Sequence, residues 1–130
     1  MTVVVGYVPD QYGEAALAAG VEEARRRDSG LVVVNATKGD ALVDRRYVGA
    51  AGVAELEARL AETGLQVEVR QAVGPDVAEE LLRVADATAA AVVVIGLRHR
   101  TPVGKMIMGS VAQRVLLDAT CAVLAVKPPG

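Results

Sequence analysis

Phenylalanine and tryptophan are absent from this 130-residue chain, and its only aromatic residues are Tyr7, Tyr12 and Tyr47. Valine, leucine, isoleucine and alanine must therefore fill the core, and this mixture suits close packing of helices on a sheet. Because no Phe or Trp is available to stack on an isoalloxazine ring, the composition disfavours a flavin or electron-transfer protein.

Cysteine, net charge and long apolar runs are also scarce. Cys121 is the only cysteine, so an intrachain disulfide is impossible and nothing indicates an oxidising compartment. A formal net charge of −2 disfavours general binding to nucleic acid or to an anionic membrane, which requires a basic surface. No apolar run approaches the roughly 20 residues that cross a bilayer, and the N-terminus lacks the basic start of a signal peptide. We expect a cytoplasmic protein with neither nucleic acid nor membrane as a partner.

Five short apolar runs predict β-strands within a single domain over residues 1–130. Three of them are nearly unbroken and rich in β-branched residues, which is typical of strands buried on both faces: residues 3–8, 31–34 and 91–95. A fourth apolar run, residues 122–126, predicts the last strand. The fifth run, residues 65–70, alternates between apolar and polar. We therefore expect this strand at an edge of the sheet, with one face open to solvent.

Four amphipathic segments separate these strands and predict helices. They begin near Glu14, between Asp44 and Gly52, after the turn and cap at residues 74–76, and at Gly109-Ser110. Strict alternation of strand and helix implies a parallel sheet with helices on both faces. In the flavodoxin-like strand order 3-2-1-4-5, the loops at Pro9 and Gly96 face one crevice, where ligands bind in such folds.

The loop that runs from Gly96 to Ser110 is the main functional candidate. It holds about a dozen residues, against 2 to 6 in a usual connection of this kind, and four of them are potential cations: Arg98, His99, Arg100 and Lys105. A helix start with free N–H groups follows it. These features indicate a phosphate cradle, and a solvated basic loop remains the alternative reading of the same residues.

Several better-known motifs do not fit. A Walker A loop needs glycine at 99 and Ser or Thr at 106, where this chain has His99 and Met106. No Gly-x-Gly-x-x-Gly follows the first strand, and His99 has no Cys or second His beside it for zinc. We interpret Cys121 as a small buried hydrophobe and Ser110 as a helix cap rather than as nucleophiles. We predict no catalytic residue and no structural metal.

The same loop resembles the nucleotide loop of the universal stress protein family, G-x2-G-x9-G-(S/T), with Gly96, position 99 and Gly109-Ser110 at the fixed positions. The surrounding Pro-Val-Gly-Lys at 102–105, the helix start at 110–116 and the ending Cys-Ala-Val-Leu-Ala-Val-Lys-Pro at 121–128 are similar too. The resemblance covers essentially the whole chain. It implies a flavodoxin-like, adenine nucleotide alpha hydrolase-like fold, a homodimer formed through the last strand from Val123 to Val126, and binding of ATP or AMP, with or without Mg.

Carried over to this sequence, the resemblance implies a role for individual residues. Gly96 and Gly109 would let phosphate and ribose approach the backbone, the hydroxyl of Ser110 and the N–H groups of Ser110 and Val111 would hold phosphate, and Ala36 would lie near adenine. The full predicted nucleotide site is Val8, Pro9, Ala36, Gly96, Arg98, His99, Gly109, Ser110 and Val111.

Two residues depart from the family pattern. His99 stands where the motif has glycine, and Val8 stands where nucleotide-binding members have an acidic residue, with Asp10 two positions later. These departures motivate a second hypothesis, a dimeric adaptor of the same fold that has lost its nucleotide pocket. Under the first hypothesis the protein is a regulatory binder of ATP or AMP rather than an enzyme, and any hydrolysis should be slow because no general base is apparent.

Overall fold

The computed structural model describes residues 1–37, 48–74, 76–97 and 109–129. The described residues form five strands and four helices that alternate along the chain, as predicted. They are β1 (Thr2–Gly6), α1 (Gln11–Arg27), β2 (Gly30–Thr37), α2 (Ala50–Ala61), β3 (Val67–Val73), α3 (Val77–Ala87), β4 (Ala90–Gly96), α4 (Ser110–Asp118) and β5 (Ala122–Val126). No helix in these ranges is long and apolar enough to span a membrane.

The five strands form one parallel sheet in the order β3-β2-β1-β4-β5. This is the predicted flavodoxin-like order, and the alternating strand β3 lies at an edge as its pattern indicated. The central strand β1 pairs with β2 on one side and with β4 on the other. The carboxyl ends of β1 and β4 therefore adjoin at the point where the winding direction reverses, which is where ligands bind in folds of this kind.

The core has one layer on each face of the sheet, and aliphatic side chains fill both. Alternate residues of β1 supply the two layers: Val3 and Val5 pack with α1 and α2, whereas Val4 packs with α3 and α4. Each of these three valines is fully buried. The prediction that valine, leucine, isoleucine and alanine fill the core is confirmed, with Tyr7 as the one aromatic residue in it among the described residues.

Strand lengths differ from the sequence prediction because each strand continues only as far as its partner does. β1 ends at Gly6, two residues before the predicted end. β2 continues to Thr37 rather than to residue 34, because β3 pairs with it as far as Val73. The boundaries of the other elements agree with the prediction to within about three residues.

Two helix starts were predicted from cap signals, and one of the two was wrong. The predicted cap Asp76 accepts a hydrogen bond from the N–H of Glu79 at 3.0 Å and begins α3. At α4, however, the N-cap is Gly109, and Ser110 is already the first helical residue. A capping side chain has to reach forward from the non-helical residue before the helix. The hydroxyl of Ser110 therefore does not cap α4.

Candidate functional site

A cavity of about 240 Å³ lies at the carboxyl ends of β1, β2 and β4, where the first turns of three helices converge. Its floor and apolar walls are made by strand ends, by α1, by α3 and by the start of α4. The lining residues are Gly6, Tyr7, Val8, Tyr12, Gly13, Val34, Ala36, Val77, Leu81, Ile95, Gly96, Gly109, Ser110, Val111 and Ala112. Its location matches the crevice predicted from the strand order.

Most of the predicted site residues meet in this cavity. Val8, Ala36, Gly96, Gly109, Ser110 and Val111 all line it. Pro9 is exposed and is not among the lining residues. Arg98 and His99, with the rest of the cationic loop, lie outside the described residues.

Sequence reasoning missed the walls that come from α1 and α3. Tyr12 and Gly13 line the cavity from the first turn of α1, and Val77 and Leu81 line it from α3. The residues of α3 show an ordinary apolar stripe, and such a stripe is the same whether it lines a cavity or packs in the core. For Tyr12 the available signal was its position just after the first strand, in a chain with few aromatic residues.

The two glycines of the nucleotide loop motif have different surroundings. A Cβ atom added at Gly96 would lie 2.5 Å from the carbonyl oxygen of Tyr12, so the missing side chain makes room for the backbone of α1. A Cβ added at Gly109 would have no atom of another described residue within 4 Å. Gly109 also has an ordinary extended backbone, with φ −61°. None of the described residues therefore fills the space beside Gly109, whereas packing already explains Gly96.

The first N–H groups of α1 and of α4 also differ: those of α1 are capped by a side chain, and those of α4 are not. Asp10 accepts hydrogen bonds from the N–H groups of Tyr12 and Gly13, each at 3.0 Å, and so caps α1. At α4 the N-cap Gly109 has no side chain that could accept from the first N–H groups of the helix. Uncapped N–H groups at a helix start, together with the positive end of the helix dipole, favour an anion. The start of α4 is therefore the place in this cavity that suits a phosphate.

The nearest acidic candidate from the sequence does not enter the cavity. Asp10, the carboxylate two positions after Val8, is the N-cap of α1. No Asp, Glu, Lys or Arg is among the described residues that line the cavity. In the described ranges no three His, Cys, Asp or Glu residues lie together as a metal site would require.

Tyr7 lies on the wall of the cavity, with its hydroxyl directed to helices α1 and α2. The hydroxyl donates a hydrogen bond to Oε2 of Glu14 at 2.5 Å, and Nη2 of Arg59 lies 2.7 Å from Oε1 of the same carboxylate. Burial, followed by the hydrogen bond to Glu14, raises the pKa of Tyr7 to about 12. The hydrogen bond from Arg59 lowers the pKa of Glu14. Tyr7 is therefore a neutral phenol at physiological pH, and it cannot serve there as a base.

Cys121 lies outside the cavity lining, immediately before β5. The side chain is partly exposed rather than fully buried as predicted, because it sits where the chain enters an edge strand and packs against only one layer of the core. Burial nevertheless raises the pKa of its thiol. A thiol with a raised pKa is a poor nucleophile at neutral pH.

Comparison with known proteins gives a consistent result. The sequence profile of the Universal stress protein family matches residues 1–127. A universal stress protein of Mycolicibacterium smegmatis (strain ATCC 700084 / mc(2)155) is 54% identical over 128 residues, which are 98% of each chain. The solved structure of a universal stress protein from Archaeoglobus fulgidus is 28% identical, with a TM-score of 0.80 over 98% of both chains. A structure of the universal stress protein from Archaeoglobus fulgidus in complex with dAMP is 26% identical, with a TM-score of 0.68 over 98% of both chains.

Proposed function

The chain belongs to the universal stress protein family, and we propose that its cavity binds an adenine nucleotide, ATP or AMP, in a cytoplasmic regulatory protein. The observation that carries the proposal is the start of α4, where uncapped N–H groups and the open space beside Gly109 face a cavity with apolar walls. A related universal stress protein has been solved in complex with dAMP, which supports this class of ligand.

The arrangement of the lining residues suggests how the ligand lies. The phosphate would accept hydrogen bonds from the N–H groups of Ser110 and Val111 at the positive end of α4, with the exposed hydroxyl of Ser110 beside them. The ribose would lie against Gly109, where no side chain intervenes. The base would then reach the apolar side of the cavity, near Ala36 and Leu81. Apolar walls with a few convergent polar groups are the usual composition of a small-molecule site.

We propose binding without fast chemistry. Phosphoryl transfer needs a group that positions or deprotonates the attacking water, and it usually needs a protein carboxylate that holds Mg²⁺. The described lining residues supply neither, since Asp10 caps a helix and the phenol of Tyr7 stays protonated. A Mg²⁺ ion that accompanies ATP would take its ligands mainly from the phosphate oxygens and water.

Isothermal titration of the folded protein with ATP and with AMP tests this proposal. No heat at millimolar nucleotide, in buffers of two different ionisation enthalpies, would contradict it. Mass spectrometry of small molecules released when freshly purified protein is denatured would show independently whether the cavity carries an adenine nucleotide from the cell.

A matched pair of variants tests the location of the phosphate. Gly49 is the N-cap of α2 and resembles Gly109, with φ −72° and no atom of another described residue within 4 Å of an added Cβ. Serine at either position should cap its helix and change the free energy of unfolding by only a few tenths of a kcal/mol. We expect Gly109→Ser to weaken nucleotide binding roughly tenfold or more, because the new hydroxyl occupies N–H groups that the phosphate needs. Gly49→Ser should bind as the wild type does, and equal affinities for the two variants would exclude the start of α4 as the phosphate site.

The second candidate function is a nucleotide-free dimeric adaptor, and an edge strand favours it. β5 pairs with β4 on one side only, and its residues 123–126 are partly exposed. An edge strand of apolar residues is commonly covered by a second copy of the chain. We propose a homodimer through Val123 to Val126, which sedimentation velocity tests directly and a monomer at high concentration contradicts. The dimer is compatible with nucleotide binding, so only the titration above separates the two candidates.

A further inference from the structure

Asn35 is the one fully buried polar side chain among the described residues, with 0% of its surface exposed. It lies in β2 between Val34 and Ala36, which both line the cavity. An amide in the core lowers stability unless its polar atoms are hydrogen-bonded, so a buried amide has specific partners. The identity of these partners indicates what Asn35 does.

Within the described ranges, the amide of Asn35 bonds to Tyr7, Val48 and Gln71, which belong to three separate parts of the chain. Its Nδ2 donates to the carbonyl oxygen of Tyr7 at 2.9 Å, and its Oδ1 accepts from the N–H of Val48 at 2.9 Å and from Nε2 of Gln71 at 3.1 Å. Gln71 also donates from Nε2 to the carbonyl oxygen of Val48. Asn35 thereby links the end of β1, strand β3 and the residues that lead into α2.

The bond to Tyr7 is placed where β1 and β2 separate. The last paired residues of these strands are Gly6 and Val34, whereas β2 and β3 stay paired as far as Thr37 and Val73. Asn35 is therefore the first residue of β2 beyond the ladder with β1. At this point a side-chain N–H, instead of the next backbone N–H, binds the carbonyl oxygen of Tyr7.

The separation of these two strands is also what forms one wall of the cavity. Tyr7 and Val8 continue along one side of it, and Ala36 lies on the other side. The N–H of Tyr7 still donates to the carbonyl oxygen of Val34 at 2.9 Å, and the amide of Asn35 binds the carbonyl oxygen of Tyr7, so Asn35 holds the last point of contact before the two backbones separate. The carbonyl oxygen of Val8 also accepts from the N–H of Asp10, so displacement of this wall would be passed to the start of α1.

We propose that Asn35 is a positioning residue for the nucleotide cavity, whose amide sets the distance between the Tyr7–Val8 wall and Ala36. The inference rests on the proposed nucleotide binding, because it assigns Asn35 to the geometry of that same site. Asn35 does not touch the ligand. Its effect on affinity is exerted through the carbonyl oxygen of Tyr7.

The variant Asn35→Asp separates positioning from a general contribution to stability. Aspartate has nearly the same shape and still accepts from Val48 and Gln71, but in its ionised form it repels the carbonyl oxygen of Tyr7 instead of donating to it. We expect AMP affinity to fall roughly tenfold or more at pH 7.5 in the folded variant. The affinity should recover as the pH is lowered and the carboxyl group takes up a proton, which restores a donor to Tyr7.

At each pH, the AMP affinity of Asn35→Asp is compared with that of the wild type at the same pH. The hydroxyl of Tyr7, together with Glu14 and Arg59, faces the same wall and is present in both proteins. Any effect of their titration on AMP affinity is therefore the same in both proteins and cancels when the two affinities are compared. A structural role alone would lower the free energy of unfolding and leave the affinity of the folded fraction unchanged at every pH.

Gln71→Leu is the matched control. It removes the bonds to Asn35 and Val48 but leaves the bond between Asn35 and Tyr7 in place. We expect this variant to be less stable than the wild type and to bind AMP with an affinity within about twofold of it. An equal loss of affinity in Gln71→Leu and Asn35→Asp would overturn the assignment to the Tyr7 bond.

A readout without nucleotide keeps this inference separate from the proposed function. Backbone amide chemical shifts of the unliganded Asn35→Asp protein should change from Tyr7 to Asp10 as well as around positions 35, 48 and 71. Wild-type protein that binds neither ATP nor AMP would refute the proposed function, and these shifts would still decide whether Asn35 positions the wall. Shift changes confined to residues near 35, 48 and 71 would refute the positioning role.

Discussion

Replacement of Gly96 by alanine should destabilise the protein even when no nucleotide is present. The added Cβ would lie 2.5 Å from the carbonyl oxygen and 2.9 Å from the carbonyl carbon of Tyr12. Both atoms belong to the backbone of a helix whose packing on the sheet is fixed by buried residues, so they cannot swing away as a flexible side chain would. Overpacking of this kind costs about 1 to 3 kcal/mol.

This cost translates into a measurable change in melting temperature. An unfolding entropy of about 2.1 cal/mol/K per residue over the whole chain corresponds to a shift of about 4 °C for each kcal/mol. Thermal unfolding followed by circular dichroism should therefore show a midpoint about 4 to 11 °C lower for Gly96→Ala. Gly74→Ala is the control, because an added Cβ there meets no atom of another residue within 4 Å in the part of the chain that the structure describes. Its midpoint should equal or slightly exceed that of the wild type.

The outcome distinguishes two explanations of the same glycine. The family resemblance assigns Gly96 to close approach of the ligand, and the structure assigns its missing side chain to the packing of α1. Unchanged stability of unliganded Gly96→Ala, combined with weaker nucleotide binding, would refute the packing argument. Lower stability without nucleotide would support it.

The remaining predictions concern ionisable groups. For Tyr7, whose folded pKa of about 12 is raised, the contribution to stability is present below the unfolded pKa near 10 and is lost as the pH rises through the folded value. Urea unfolding should show a steeper loss between pH 10 and 12 in the wild type than in Tyr7→Phe, and equal slopes would contradict this. For Glu14, whose folded pKa is lowered, the contribution is present above the unfolded pKa and is lost as the pH falls through the folded pKa. Because the pair with Arg59 is about half exposed, Arg59→Ala should lower the free energy of unfolding by less than about 1 kcal/mol at pH 7, and the difference should vanish in acid. Cys121 should react with Ellman's reagent at pH 8 more slowly than free cysteine does, and an equal or faster rate would count against the raised pKa of its thiol.

Local patterns in the chain predicted the architecture well. Four apolar runs and one alternating run were enough to predict a five-stranded parallel sheet and to place β3 at an edge, because exposure of one strand face to solvent makes the residue pattern alternate. The strand order itself was taken from the flavodoxin-like fold. The cap at Asp76 was also predictable, since it depends on a few neighbouring residues. The cap predicted at Ser110 was wrong by one residue, because the N-cap is Gly109. The position of a helix start depends on the residues that precede it in the chain.

The composition of the cavity was only partly accessible in the same way. The family resemblance identified Gly109, Ser110 and Val111 at the helix start and Val8 and Ala36 near the strand ends, and all five line it. Leu81 was not identified, because an inward-facing leucine on a helix has the same pattern in a cavity wall and in a packed core. Pro9 lies beside the predicted crevice in sequence but is exposed.

The sequence by itself determined the alternation of strands and helices, the edge position of β3 and the glycine-framed helix start at the carboxyl edge of the sheet, because each follows from residue patterns that are local in the chain. Tertiary structure alone decided that the backbone of Tyr12 fills the space beside Gly96 and that Asn35 reaches both Tyr7 and Val48. Those contacts join residues that lie far apart in sequence. They depend on how closely two packed elements approach, which no local pattern records.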